Sequence, residues 1–275
     1  MNPVQKISNY EIAESAIETY ILSINLRIDG LSFLIRNRQQ EDLHMEQFEW
    51  LNVKDWNQSK KNLSDLLSSH ALLKHNFAYV QIFIQSTESF LIPDSLFSES
   101  KIKSLYNTYY GISNHFIFST KMKKPTPNAH MVFGLDKEIV QVINNKWKQV
   151  SWYHYSAFYL NVCHERSRQT QEVFVKLQQN YFEVVALMDQ KLNAHNYFEF
   201  SNAEEFIFNL LSFIRQIDFD TEKLQLHLEG KITLSSVLHQ LVKKYIPNLQ
   251  FEAISTEKTA DAFHELIQTV DYAHR

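Results

Sequence analysis

Twelve histidines and a single cysteine are the residues of this 275-residue chain best suited to chemistry near neutral pH. A thiol beside an imidazole can be a nucleophile, and histidines at helical spacing can hold zinc. Cys163 is followed directly by His164, but adjacent residues on a helix point apart, so Cys163 reads as a buried or half-buried side chain. His264-Glu265-Leu266-Ile267-Gln268 lacks the second histidine of a zinc-protease helix, and His70 and His75 do not share one helical face. The histidines read as surface residues. One cysteine also excludes an intramolecular disulfide and a cysteine-rich zinc site. No Gly-x-Ser-x-Gly elbow is present. The one basic, proline-rich run, Lys121-Met122-Lys123-Lys124-Pro125-Thr126-Pro127, could contact phosphate but reads better as a solvated hairpin tip. No catalytic residue and no metal ligand is assigned.

The bulk properties narrow the classes. With 27 basic and 31 acidic residues the formal charge is −4, so nothing global attracts nucleic acid or acidic lipid, and nucleic-acid binding is not expected. The opening residues, MNPVQKISNYEIAES, lack a secretory apolar core, and no apolar run reaches spanning length. A cytoplasmic protein without a membrane span is expected. The hydrophobic content of 44% supports a large core, and the 20 Phe, 13 Tyr and 4 Trp belong to it and to a lobe interface. Glycine is scarce: only Gly30, Gly111, Gly134 and Gly230.

The elements that must position any site are organised around residues 21–37. Leu22, Ile24, Leu26 and Ile28 alternate into Asp29-Gly30, and the pattern resumes at Leu31, Phe33 and Ile35. This predicts a hairpin whose Asp29-Gly30 turn is of type I′, with positive φ at both residues. The same hairpin recurs: Leu22, Ile24 and Leu26 align with Val173, Val175 and Leu177, and Phe33-Leu34 with Val184-Val185. Phe48-Glu49-Trp50 matches Phe198-Glu199-Phe200, Leu66-Leu67-Ser68 matches Leu210-Leu211-Ser212, and Val80-Gln81-Ile82 matches Leu224-Gln225-Leu226. Ile139, Val142 and Ile143 then pair with Leu238, Leu241 and Val242 at a shorter offset, which places an insertion in the first copy at about 86–135. Within it a helix near Lys101–Tyr109 and strands at His115–Thr120 and Ala129–Phe133 are predicted. Ser201-Asn202-Ala203-Glu204 predicts a capping box, residues 1–17 a short helix or loose arm, and Ala260, Phe263, Ile267 and Val270 a last helix docking on the body.

Each copy therefore reads strand-strand-strand-helix-strand-helix-strand, an α/β arrangement of mixed-sheet α+β lobes. That order resembles a ribonuclease-H-like unit, and two in tandem resemble the actin-like ATPase fold. Residues 18–165, with the insertion, form the first expected lobe; 166–275, with the C-terminal helix, form the second, after a linker at Arg166–Gln171. The strings LSINLRIDGLSF, SFLIPDSLF, MVFGLDKE and LHLEG resemble an uncharacterised bacterial family, a domain of unknown function with a duplicated actin-like structure. The resemblance covers nearly the whole chain and carries no assigned catalytic residue.

Actin-like ATPases have a Gly-rich, acidic phosphate loop in each hairpin and a Gly-Gly adenosine turn, because glycine admits backbone N–H groups to phosphate and carboxylates position Mg²⁺ or its waters. The resemblance points to Asn25, Asp29 and Gly30 in the first hairpin, Lys176, Gln178 and Asn180 in the second, and Gly230 at the adenosine turn as cleft candidates. These loops are degenerate: the first keeps one Asp and one Gly, the second neither, and Lys231 stands for the second glycine of the turn. A two-metal nuclease fares no better, since its carboxylate positions hold Asn25 and Gln81, and Lys176, Gln225 and His227. The expected function is a non-catalytic binding or assembly platform with no cofactor. Its protein partner would meet it at the inter-lobe cleft or the 86–135 insertion, where Tyr106, Tyr109 and Tyr110 are expected to be exposed. The alternative is a nucleotide-dependent phosphotransferase or ATPase with an altered cleft, which alone would require ATP and Mg²⁺.

Overall fold

The computed structural model describes residues 2–53, 55–123, 128–230, 232–253, 266–271 and 273. The chain divides into two compact units, one holding Met1–Met122, Asn128–Phe158 and Glu257–Arg275, the other Lys123–Pro127 and Tyr159–Thr256. No helix among the described residues is long and apolar enough to cross a membrane.

In the first unit, β1 (Gln5–Ser8), β2 (Ile21–Arg27), β3 (Gly30–Arg36), β4 (Asp42–Glu49), β5 (Tyr79–Ile84) and β9 (Val150–His154) form one sheet in the order β1-β4-β3-β2-β5-β9. Leu22, Ile24 and Leu26 pair across the antiparallel ladder with Ile35, Phe33 and Leu31. Residues two apart share a face, so this alternation puts one apolar face against α1 (Trp56–Ser69) and α3 (Lys137–Lys146). Leu63, Leu66, Leu67, Ile139, Val140 and Ile143 are buried there, each contributing roughly 1.5–3 kcal/mol by its removal from water. Asp55 starts α1 by accepting the Gln58 N–H at 2.9 Å. Instead of a helix or arm, the N-terminal residues supply β1, antiparallel to β4, and a 3-10 turn at Glu14–Thr19. Without β1, β4 would be a bare edge.

The first turn differs from expectation. Its two linking residues are Ile28 and Asp29, neither with positive φ, while Gly30 already belongs to β3 and pairs with Arg27. Gly30 serves β4 instead: at φ +156°, a Cβ there would run into the Phe48 carbonyl oxygen. Close approach of backbone, and not a type I′ turn, fixes this glycine.

The insertion forms a separate sheet, β6 (Ser89–Pro93), β7 (His115–Lys121) and β8 (Ala129–Asp136) in the order β6-β8-β7, with α2 (Ile102–Tyr110) packed on it. Tyr106 is fully buried and not exposed as expected. Gly134 lacks the Cβ that would strike its ring, and its hydroxyl donates to Glu88 and lies 3.0 Å from His115 Nδ1. Burial and the Glu88 carboxylate push its phenol pKa up, which keeps it a donor.

The second unit repeats the topology. β10 (Gln171–Leu177), β11 (Tyr181–Met188), β12 (Lys191–Glu199), β13 (Gln225–Gly230) and β14 (Leu249–Ala253) are ordered β12-β11-β10-β13-β14, and α5 (Ala203–Gln216) and α6 (Val237–Tyr245) lie on the apolar face. The cap of α5 is displaced by one residue from the predicted box: Asn202 Oδ1 accepts the Glu205 N–H at 2.8 Å and Glu205 accepts the Ser201 N–H at 2.8 Å. Asparagine takes the cap because Glu205, three residues on, can then reach back.

The expected lobe boundary at 165/166 lies at the far end of α4 (Tyr155–Arg166) from the division between the units, which falls inside that helix. Arg166–Gln171 is not a free linker: Ser167 is fully buried, and the Arg168 and Gln169 N–H groups donate to Glu172 at 2.7 and 3.0 Å. The described C-terminal residues, 266–271, are helical and pack in the first unit, not the second. Ala260, Phe263 and His264 lie outside the described residues.

Candidate functional site

In the first unit the candidate residues sit at the end of the β2–β3 hairpin. Asp29 Oδ1 is 3.2 Å from Arg27 Nε, and its carbonyl accepts the Trp50 N–H at 2.7 Å. Gly30 is pressed against β4. Asn25 is buried in mid-strand beside Ser32 on β3 and Phe83 on β5. Its Oδ1 has no hydrogen-bond partner among the described residues.

In the second unit Lys176 takes the place Asn25 holds in the first. It is flanked by Glu183 on β11 and Glu229 on β13, as Asn25 is by Ser32 and Phe83. Lys176 is buried, and its Nζ lies 5.1 Å from the centre of the Tyr159 ring. Gln178 and Asn180 lie in the next turn, which closes on itself: the Gln178 N–H donates to the Tyr181 carbonyl at 2.9 Å, and the Asn180 carbonyl accepts from Phe200 at 3.0 Å. Gly230 ends β13 at φ +101°, where a Cβ would meet the Leu177 backbone. Lys176 and Gly230 are thus close on β10 and β13, with Gln178 and Asn180 in the turn that follows β10, whereas Asn25, Asp29 and Gly30 belong to the other unit.

Around Lys176 the fold assembles charges that sequence reasoning missed. Arg166 Nη1 is 2.6 Å from Glu229, and His195 Nε2 is 2.8 Å from Glu183. Glu172 accepts from Ser167, Arg168 and Gln169, and lies 3.1 Å from His227 Nε2. His227 stacks on Phe174 at 4.2 Å. The Glu172, Glu183 and Glu229 carboxylates each lie against a histidine or an arginine, and the chemistry is that of an ionic glue inside the fold. The only sequence signal was alternation itself, since Glu172, Lys176 and His227 interleave with apolar residues in strands that look wet on one side. The Tyr159–Arg166 portion of α4 covers that side.

The histidines are likewise not surface residues as a class. His44, His154 and His227 are buried. In the first unit His44 Nε2 and His70 Nε2 lie 2.8 and 2.7 Å from the two oxygens of Glu46, and Lys6 Nζ is 2.9 Å away. No group of side chains among the described residues is arranged to hold a metal ion. Cys163 is fully buried; burial pushes its thiol pKa well up, and Glu229 and Glu183 add to the rise. We expect Cys163 to resist thiol reagents in the native protein and to react fully after unfolding in urea, a difference read directly by a colorimetric thiol assay.

Two units of this strand order, each with helices packed on a mixed sheet, define the actin-like ATPase fold. A solved structure from Bacteroides thetaiotaomicron VPI-5482, described as a protein with actin-like ATPase fold and unknown function, superposes with a TM-score of 0.79 at 25% identity, covering 94% of this chain and 98% of that one. A PilM-PilN type IV pilus biogenesis complex shares the fold at 12% identity with a TM-score of 0.56, covering 94% and 98% of the two chains. No curated protein matches the chain. Residues 9–249 match the family described as protein of unknown function (DUF3822), and the chain belongs to that family.

Proposed function

We propose that this chain is a non-catalytic, cytoplasmic binding or assembly platform of tandemly duplicated ribonuclease-H-like units, with degenerate nucleotide loops and a protein partner docking on the insertion. The observation that carries this reading is the closure of both hairpin ends. Ile28-Asp29 is a two-residue link, and the Gln178 to Tyr181 turn satisfies its own backbone. Neither offers the row of free N–H groups that cradles phosphate, and Lys176 is buried against the Tyr159 ring. The insertion supplies the exposed surface. On α2, Tyr109 is 66% exposed, Leu105 lies on the same flank, and Ile112, just beyond the helix, is 95% exposed. An apolar group this open suits a protein contact.

The test is thermal unfolding with and without millimolar ATP, ADP or GTP plus Mg²⁺. No shift of the midpoint is expected, since only a ligand of the native state raises it. A rise of several degrees that Asp29→Ala or Lys176→Ala abolishes would instead establish the alternative, a nucleotide-dependent phosphotransferase. For the docking surface, Leu105→Asp with Tyr109→Asp is expected to leave stability within about 0.5 kcal/mol. The same pair is expected to abolish retention of the partner, identified by cross-linking and mass spectrometry.

A further inference from the structure

The duplicated sheets differ at one edge. In the first unit β1 is paired along β4, whereas in the second the matching strand, β12, ends its sheet, and no strand among the described residues lies against it. A long bare edge is a template for another strand, because every second residue turns its N–H and C=O away from its one partner. The Phe200 N–H bonds back to the Asn180 carbonyl, so His195, Tyr197 and Glu199 are the residues whose backbone faces outward. Two of those outward groups are taken by side chains. Asn196 Oδ1 accepts the Tyr197 N–H at 2.8 Å, and Asn209 Nδ2, from α5, donates to the Glu199 carbonyl at 3.2 Å. Further along, the ladder with β11 steps from Ala186 opposite Ala194 to Leu187 opposite Leu192 and leaves Asn193 unmatched, a bulge that bends the edge.

We propose that Asn196 and Asn209 guard β12 against strand pairing with a second copy of this chain. A second copy is the occupant this edge fits, since β12 is complementary to itself. Antiparallel pairing about Tyr197 matches the three outward residues with one another, and it sets His195 of each copy opposite Glu199 of the other, an imidazole facing a carboxylate at both ends. Residues 195–199 also stop short of the bulge, so the pairing meets a regular strand. With the guards in place, the edge gives up two hydrogen bonds before that ladder can form. The first unit needs no such device, because β1 occupies the same edge of β4. Every guard contact lies within the second unit, and the inference does not rest on the α2 flank.

Sedimentation equilibrium on an Asn196→Val, Asn209→Ala variant, which frees both backbone groups, tests the guard. At high micromolar concentration its mass is expected to be twice that of the unaltered chain. Adding Tyr197→Pro is expected to restore the original mass, because the proline deletes the central outward N–H and no bond to β11. An unchanged mass in the double variant would overturn the proposal. So would a doubled mass that survives the proline, since the contact would then not be a strand ladder. Native-state hydrogen exchange on the unaltered chain reads the guard directly: the Tyr197 amide is expected to exchange at least about tenfold more slowly than the His195 amide, which faces outward on the same strand. Equal rates would overturn the proposal, and that result decides alone should the double variant fail to fold.

Discussion

Replacing Gly30 or Gly230 by alanine is expected to cost about 3 kcal/mol each, read as a fall in the urea midpoint at unchanged slope. Two effects add at these positions. The backbone φ is positive, at +156° and +101°, and a Cβ would collide with backbone atoms, the Phe48 carbonyl in one unit and Leu177 in the other. Backbone strain contributes roughly 1–3 kcal/mol and overpacking a similar amount. A carbonyl fixed in a ladder cannot swing away as a flexible side chain can. Gly111 separates the two terms. Its φ is +82° but nothing lies within 4 Å of its added Cβ, so Gly111→Ala should show strain alone, roughly 1–2 kcal/mol. If Gly30→Ala cost no more than Gly111→Ala, close approach would not be what reserves position 30 for glycine.

Truncating Glu46 to alanine is expected to cost about 3–4 kcal/mol, because it leaves His44 and His70 facing an empty acceptor inside the sheet. The effect should depend on pH. Burial alone would raise the Glu46 pKa, but the hydrogen bonds from His44, His70 and Lys6 outweigh it and hold the carboxyl far below its usual 4.5. With the folded-state pKa depressed, the stabilisation is complete above about pH 4.5 and is lost as pH falls toward the folded value. Wild-type stability should therefore drop steeply with acid below pH 4.5, and the Glu46→Ala variant should drop less over the same range. Parallel curves from chemical unfolding at stepped pH would show that Glu46 is not the linked group. Glu88 shifts in the same direction, chiefly through its hydrogen bond with His115, so part of the acid slope will persist in the variant.

Much of the architecture was legible in the chain because it rests on short-range periodicity. Alternation at Leu22–Leu26 and Val173–Leu177 set the two hairpins, and the helix and two strands predicted within 86–135 are present as α2, β7 and β8. Where the reading slipped, it slipped by amounts that periodicity cannot detect. Val80 was matched to Leu224, but in the sheet Val80 pairs with Leu22 as Leu226 pairs with Val173. A two-residue slide leaves every side chain on its correct face, so only the ladder could fix it.

The candidate residues were less legible. Sequence identified Lys176 as a departure from a phosphate loop, yet the Glu183 and Glu229 beside it in the ladder come from different strands, and the Arg166 and His195 that meet those carboxylates from beyond them. The same limit applies to Tyr106, which shares the aromatic character of Tyr109 but sits on the flank of α2 that faces Gly134. By itself the sequence determined the two hairpins and most of the helices and strands that follow them, though not β1 or β6, because those elements depend on neighbours a few residues away. Only the tertiary structure decided which polar faces are dry, since burial of Glu46, Glu172 or Lys176 is a property of what folds over them, and no periodicity in their own strands says what that is.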